Sequence, residues 1–407
     1  MLTELKRNTE NDALILDPVA AAAEMIPLLR ASAPETDRLA KLPDSIVDAL
    51  EHRGLFRLLY PADQGGAQIG PHAFMDTMVN IGRGDMSAAW ALAILNGCTA
   101  LVARTMPKHV SDVVYATEGG AKISAVFSAR SLKARPENGG VHIEEGLWAF
   151  NSGVQHANWD LLGVPIYDKD GNVVDEGLAL IPMSKVEILN DWDTMALRGT
   201  GSNTVRVRDV FVEADWILPF GKFRRENFTQ PHYADQWQFR TTATAEGSVH
   251  LAYSGLGAAQ AALEVFQESL GKGGIQYTQY TKKSEAPVIH IAIAEASARI
   301  DAARTLACRA VDEIEAAARS GEIIDPMHSA RIRRDTGLMV SLLWEGVDRL
   351  ASVSGGSFLG SHNLLSRCWR DIRAGTMHGA ITPATVMESY GRMLCGLGSN
   401  MTMAGLK

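Results

Sequence analysis

Basic clusters are missing from this 407-residue sequence: the net charge is −8, and no run rich in lysine and arginine stands out. Phosphate backbones need a concentrated positive surface, so no nucleic-acid partner is expected. Cysteine is scarce too. The four present (Cys98, Cys308, Cys368, Cys395) are widely spaced without a CxxC pair. That speaks against a disulfide framework or a zinc site and for buried free thiols. Long apolar runs are absent as well. Stretches such as SAAWALAILNG fall short of a bilayer's thickness and sit inside amphipathic patterns, so no membrane partner is expected. The opening MLTELKRNTENDAL is charged and has no signal-peptide core, which points to the cytoplasm.

What is present is an ordinary globular balance, 46% hydrophobic and 21% charged. Periodicity divides it into three regions. Residues 1–118 read as a helical domain, with Ala and Leu at three-to-four spacing in DPVAAAAEMIPLLRASAPETDRLAKLPDSIVDALEHRGLF and a helix stop at Gly54. Residues 119–235 read as a central β domain, where KISAVFSA, GVHIEEGLWAFNSG, DLLGVPIYD, EGLALIPMSKVEILN and NTVRVRDVFVEADWIL alternate or run β-branched. Tight-turn signals separate them, Glu137-Asn138-Gly139-Gly140 among them, which predicts an antiparallel sheet or barrel. RGTGSNT lacks GxGxxG spacing and a following helix, so it reads as a turn and not a phosphate loop. Residues 236–407 read as a helical bundle with small Ala-rich faces. The fold class is mostly α with a central β domain.

One junction in the bundle stands out. DIRAGTMHGAIT sets His378 among small residues, between a helical run ending at Arg373 and another starting near Pro383. So little bulk beside the backbone leaves room for a ligand, although a lone histidine also serves to cap or pack a helix end.

The order of helices, β domain and four-helix bundle resembles the acyl-CoA dehydrogenase fold. LRGTGSNTVRVRDVFVEADWIL, EAPVIHIAIAEASARIDAARTLACRA and SGGSFLGSHNLLSRCWRDIRAGTMH carry that likeness. Within the superfamily, GLFRLLYPADQGGAQIG, GRGDMSAAWALAILNG, LWAFNSGVQHANWDLLG and YGRMLCG are similar to the flavin-dependent monooxygenases, the oxygenase components of two-component aromatic hydroxylases. The resemblance implies reduced flavin (FMNH2 or FADH2) with O2 as co-substrate, reacting through a C4a-hydroperoxide. It also implies a small aromatic substrate, a separate NAD(P)H-dependent flavin reductase and a homotetramer.

The same resemblance assigns roles. Dehydrogenases of the fold carry a catalytic Glu just after the Arg-Asp pair; here Arg370-Asp371 is followed by His378 and no carboxylate until Glu388. His378 is thereby implied to act on the substrate, accepting its proton or donating to a peroxide oxygen. Asn151 or Ser152 would steady the flavin N5–H. Phe127 and Ser128 match a flavin-facing strand, and Trp148 is either beside the flavin or in the sheet core. Gly355, Gly356 and Ser357 match the segment that binds the flavin tail across a subunit boundary. Arg367 would pair with Asp371 or meet a phosphate, His156 would hold its loop, and Asn96 and Cys98 stand near a position where some relatives offer a second histidine. Two alternatives remain: a dehydrogenase or oxidase with tightly bound FAD and Glu246 as base, and a scaffold without activity.

Overall fold

A computed structural model of the chain describes residues 17–224 and 231–401. The charged opening stretch, on which the expected location rests, lies outside them.

Among the described residues five helices come first: α1 (Pro18–Leu39), α2 (Asp44–His52), α3 (Pro71–Gly84), α4 (Met86–Thr105) and α5 (Lys108–Tyr115). Carboxylates start two of them. Asp17 accepts from the Val19 and Ala20 amides, and Asp85 from those of Ser87 and Ala88. Left-handed Ala40 stops α1 and Gly54 follows α2, so the long helical run breaks into two. Among the described residues α4 alone has the length and hydropathy of a membrane span, but 89% of that window is buried inside the chain.

Eight strands follow: β1 (Ile123–Val126), β2 (Ser131–Glu137), β3 (Gly140–Asn151), β4 (Trp159–Tyr167), β5 (Val173–Pro182), β6 (Val186–Ile188), β7 (Asn203–Val212) and β8 (Ile217–Pro219). They form two four-stranded sheets, ordered β1-β4-β5-β8 and β2-β3-β7-β6, and not a closed barrel. The expectation of an all-antiparallel arrangement also needs correction, because β1 pairs with β4 in parallel. Between them the chain leaves for the second sheet, makes the β2–β3 hairpin through left-handed Asn138 and Gly139, and returns.

After the short α6 (Phe220–Arg224), the bundle comprises α7 (Ala243–Glu268), α8 (Pro287–Ser320), α9 (Pro326–Ser352), α10 (Leu364–Gly375) and α11 (Pro383–Leu394). Buried α7 packs against α3, α4, α9 and α10. Its small residues allow this. A Cβ on Gly257 would lie 2.1 Å from the Val79 carbonyl oxygen, so α3 and α7 touch backbone to backbone only because glycine is there. Of the four thiols, Cys368 is buried and Cys98 and Cys308 partly so, whereas Cys395 is exposed, contrary to expectation.

Candidate active site

The α10–α11 junction brings His378 against Trp90 of α4, with ring centroids 5.5 Å apart in an edge-on arrangement. Gly375 lies against the same ring: a Cβ there would sit 3.4 Å from Trp90 and 3.0 Å from the Met86 methyl. Solvent reaches His378. Neighbouring protein nevertheless desolvates the ring and pushes its pKa down to about 4. Its Nδ1 accepts the Ala380 amide at 3.3 Å. A neutral imidazole bonded that way carries its proton on Nε2, so the free edge is a donor.

Trp90 also links the junction to the β domain. Its indole N–H donates to Ser152 Oγ at 3.2 Å, just beyond the end of β3. Ser152 Oγ lies 2.8 Å from Ser202 Oγ, which lies 2.6 Å from Thr200 Oγ1, which donates to the Leu197 carbonyl at 2.8 Å. The RGTGSNT segment is thus a turn, as its spacing suggested, with a short 3-10 stretch over Arg198–Thr200 and β7 after it. It is wedged tightly: a Cβ on Gly199 would come within 2.2 Å of Thr36 and 2.9 Å of Ser87.

Strand β3 does not alternate to its end. Phe150 takes a left-handed φ of 64°, and the register slips between Trp148 and Asn151. The kink turns Phe150 outward, 74% exposed, and leaves both Trp148 and Asn151 fully buried. Trp148 donates to the Gly163 carbonyl at 3.0 Å and belongs to the sheet core, so it is not on the open face. Asn151 donates to Asp160 Oδ2 at 2.6 Å, and its own Oδ1 has no partner among the described residues. Of the two candidates for the flavin edge, Ser152 therefore reaches the surface and Asn151 does not.

Asp160 is wholly buried on β4. Ser124 and Asn151 donate to it, yet desolvation outweighs both and raises its pKa to about 7. Cys98, two turns beyond Trp90 on α4, is pushed up to about 12 by burial, with Asp160 adding to the shift. Asn96 is structural, because its amide ties Leu55, Leu58 and Leu92 together. His156 is pushed down to about 4 by burial, and its Nε2 meets no partner among the described residues.

Phe127 is half-buried and stacks on Phe220 at 5.8 Å, and Ser128 beside it is exposed. Gly355, Gly356 and Ser357 form an exposed turn, far enough out that a Cβ on either glycine would meet nothing within 4 Å. Arg367 does pair with Asp371 (3.6 Å), but its closer partner is Asp85 at 2.8 Å, in a buried cluster away from solvent. Glu246 is held by Arg104 at 2.8 Å and by Thr241 at 2.6 Å. Burial alone would raise its pKa, but Arg104 and then His250 outweigh that and hold it well below the usual carboxylate range. A carboxylate so stabilised is a poor base, which removes the residue on which a dehydrogenase reading depended.

These features fit a flavin. Its flat ring needs an apolar bed with polar atoms at the edges. Phe150, Met195 and Met377 are large apolar side chains left exposed on the segments that carry Ser152, the 193–197 loop and His378. Sequence reading passed over Trp90, Thr200 and Ser202 as parts of the site. Trp90 lay in plain view in GRGDMSAAWALAILNG, whereas the two hydroxyls carried no signal beyond that of a turn.

Helices, paired sheets and bundle define the acyl-CoA dehydrogenase class of fold, and residues 249–383 match the family described as acyl-CoA dehydrogenase, C-terminal domain. The chain is 32% identical over 386 residues to the oxygenase subunit HsaA of a flavin-dependent monooxygenase from Rhodococcus jostii (strain RHA1), covering 93% of this chain and 98% of that one. It is 26% identical to indole-3-acetate monooxygenase from Pseudomonas putida, over 90% of each chain. The structure of XiaF from Streptomyces sp. in complex with FADH2 and glycerol matches with a TM-score of 0.87 at 27% identity, covering 97% and 98% of the two chains. The chain belongs to the flavin-dependent monooxygenases, as an oxygenase subunit.

Proposed function

We propose that this protein receives reduced FMN or FAD from a separate NAD(P)H-dependent reductase and uses O2 to hydroxylate a small aromatic or heteroaromatic substrate. Bound reduced flavin supplies the electrons that activate O2. The chain's own residues do the rest. Ser152 meets the N5 edge of the ring, Phe127 and Ser128 line the neighbouring strand, and the turn Gly355–Ser357 takes the flavin tail. Exposed Phe150, Met195 and Met377, on the segments that carry Ser152, the 193–197 loop and His378, would supply apolar cover against water.

The observation that carries this reading is the placement of His378. It packs on Trp90, which also reaches Ser152, and is uncharged at neutral pH with its proton on Nε2, on a side chain open to solvent. That N–H is suited to hold the oxygen of a phenolic substrate and to stabilise the anion that forms as the ring is activated. Relatives of the same family act on indole rings and other substrates, so the pocket chemistry, not the fold, sets the choice. A homotetramer working in the cytoplasm is part of the same proposal.

The test is isotopic. Protein loaded anaerobically with reduced flavin is mixed with 18O2 and a panel of phenols and indoles. Incorporation of one labelled atom into a product supports the proposal. If no product is labelled, and acyl thioesters instead bleach a bound oxidised flavin, the oxygenase reading fails.

A further inference from the structure

We propose that Thr200 and Ser202 make this protein select reduced over oxidised flavin, by fixing the Ser152 hydroxyl as a hydrogen-bond acceptor. The inference rests on the reading that Ser152 meets the flavin N5 edge.

The direction of each hydrogen bond follows from counting protons. The Leu197 carbonyl has none, so the 2.8 Å contact from Thr200 Oγ1 uses the single Thr200 proton. Thr200 must then accept at its 2.6 Å contact with Ser202, and Ser202 donates. Ser202 has now given its proton, so at the 2.8 Å contact with Ser152 it accepts and Ser152 donates. Trp90 Nε1–H can only donate, and it does so to Ser152 at 3.2 Å. Ser152 has thereby used its proton and one of its two acceptor positions. What it offers a ligand is a lone pair.

The anchor of this chain is held firmly. Leu197 sits in a left-handed conformation, with φ 50°. Its amide donates to the buried Asp371 carboxylate at 2.6 Å, and its carbonyl also receives the Trp192 indole N–H at 3.1 Å. The carbonyl cannot turn away without breaking the Trp192 contact, and the Asp371 bond holds the preceding peptide in place.

Reduced flavin carries a hydrogen on N5, and oxidised flavin carries a lone pair there. A lone pair on Ser152 matches the first and opposes the second. To greet oxidised N5, Ser152 would have to donate to it, which either leaves its 2.8 Å contact with Ser202 without a proton or reverses Ser202 and Thr200 in turn. In the second case Thr200 Oγ1 faces the Leu197 carbonyl at 2.8 Å with no proton between them. An oxygenase supplied with diffusing reduced flavin needs this asymmetry, because spent flavin that lingers blocks the next turnover.

The experiment measures two affinities on the purified full chain. Reduced FMN and FAD are titrated anaerobically, and the oxidised forms in air, both by fluorescence. In the wild type the reduced form binds more tightly. Thr200→Val keeps the side-chain shape and removes the anchor, so Ser202 is free to donate to Ser152 and Ser152 to donate outward. The ratio of oxidised to reduced Kd is expected to fall by about tenfold or more, chiefly through tighter oxidised flavin. Ser202→Ala should act in the same direction, and Thr200→Ser should keep the wild-type ratio. Equal weakening of both forms in Thr200→Val, or an unchanged ratio, overturns the inference. A wild type that binds both forms equally yet incorporates 18O sinks the selection and leaves the oxygenase function standing. A wild type that binds neither form takes down the flavin site itself.

Discussion

Asp160 offers a measurement whose size follows from its surroundings. Its carboxyl is fully buried between Ser124 and Asn151, two neutral donors, with no cation in ion-pair contact among the described residues. Burial raises its pKa from the ordinary 3.8 to about 7. Between those values the folded chain keeps a proton that the unfolded chain has released. Stability therefore falls as pH rises from about 4 to about 7, and this contribution is flat above that. Each pH unit is worth about 1.4 kcal/mol, so the full loss is about 4 kcal/mol, of which about 2 falls between pH 5 and pH 7.

Asp160→Asn abolishes the titration and keeps the volume. Urea denaturation of wild type and variant, followed by tryptophan fluorescence at pH 5, 6, 7 and 8, should show the variant gaining about 3 kcal/mol relative to the wild type across that range. A protonated-carboxyl band in the infrared difference spectrum at pH 6, lost in the variant, would identify the group. A stability difference that stays constant from pH 5 to pH 8 refutes the argument: it would mean that Asp160 is ionised throughout and that a counter-charge is present.

Three other changes test separate parts of the structure. His378→Ala should lower hydroxylation by about a hundredfold or more while leaving reduced-flavin affinity nearly unchanged. Because desolvation sets the His378 pKa at about 4, its neutral form persists above about pH 5, and the wild-type rate should show no limb from this group between pH 6 and pH 9. Arg367→Met strands the buried carboxylates Asp85 and Asp371 without their cation and should destabilise the fold by about 3–5 kcal/mol in urea melts. Gly257→Ala forces a methyl against the Val79 carbonyl, so α3 and α7 must part; a loss of about 1–3 kcal/mol is expected, and a neutral result would show that these helices are not in backbone contact.

The fold was legible where periodicity is strong. Ala and Leu spacing marked α7, α8 and α9, and β-branched alternation marked β3, β4, β5 and β7. Strand β2, SLKARPE, was hidden by its polar, proline-bearing composition, which an exposed edge strand tolerates. The parallel β1–β4 pair was hidden for another reason: pattern gives strands but not the sheet to which each returns. In the site, His378 was visible because a small-residue junction is unusual between two helices. The choice between Asn151 and Ser152 could not be read because one left-handed residue, Phe150, shifts the alternation by a single step and turns Asn151 inward. No composition signal announces such a step when the residue is not glycine.

What sequence could not convey is that the site closes on itself. Asp85 caps α4, the helix that carries Trp90, and also receives Arg367. Arg367 pairs with Asp371, which accepts the Leu197 amide, and the Leu197 carbonyl anchors Thr200, Ser202 and Ser152. Ser152 in turn accepts from Trp90. The ring of contacts runs through the first helical region, the bundle and the β domain, joining residues as far apart in sequence as Asp85 and Arg367. Buried polar chains of this kind are strong only when every member is satisfied. Displacing one member therefore loosens the others, so the position of the Ser152 hydroxyl depends on an ion cluster that does not touch the open face.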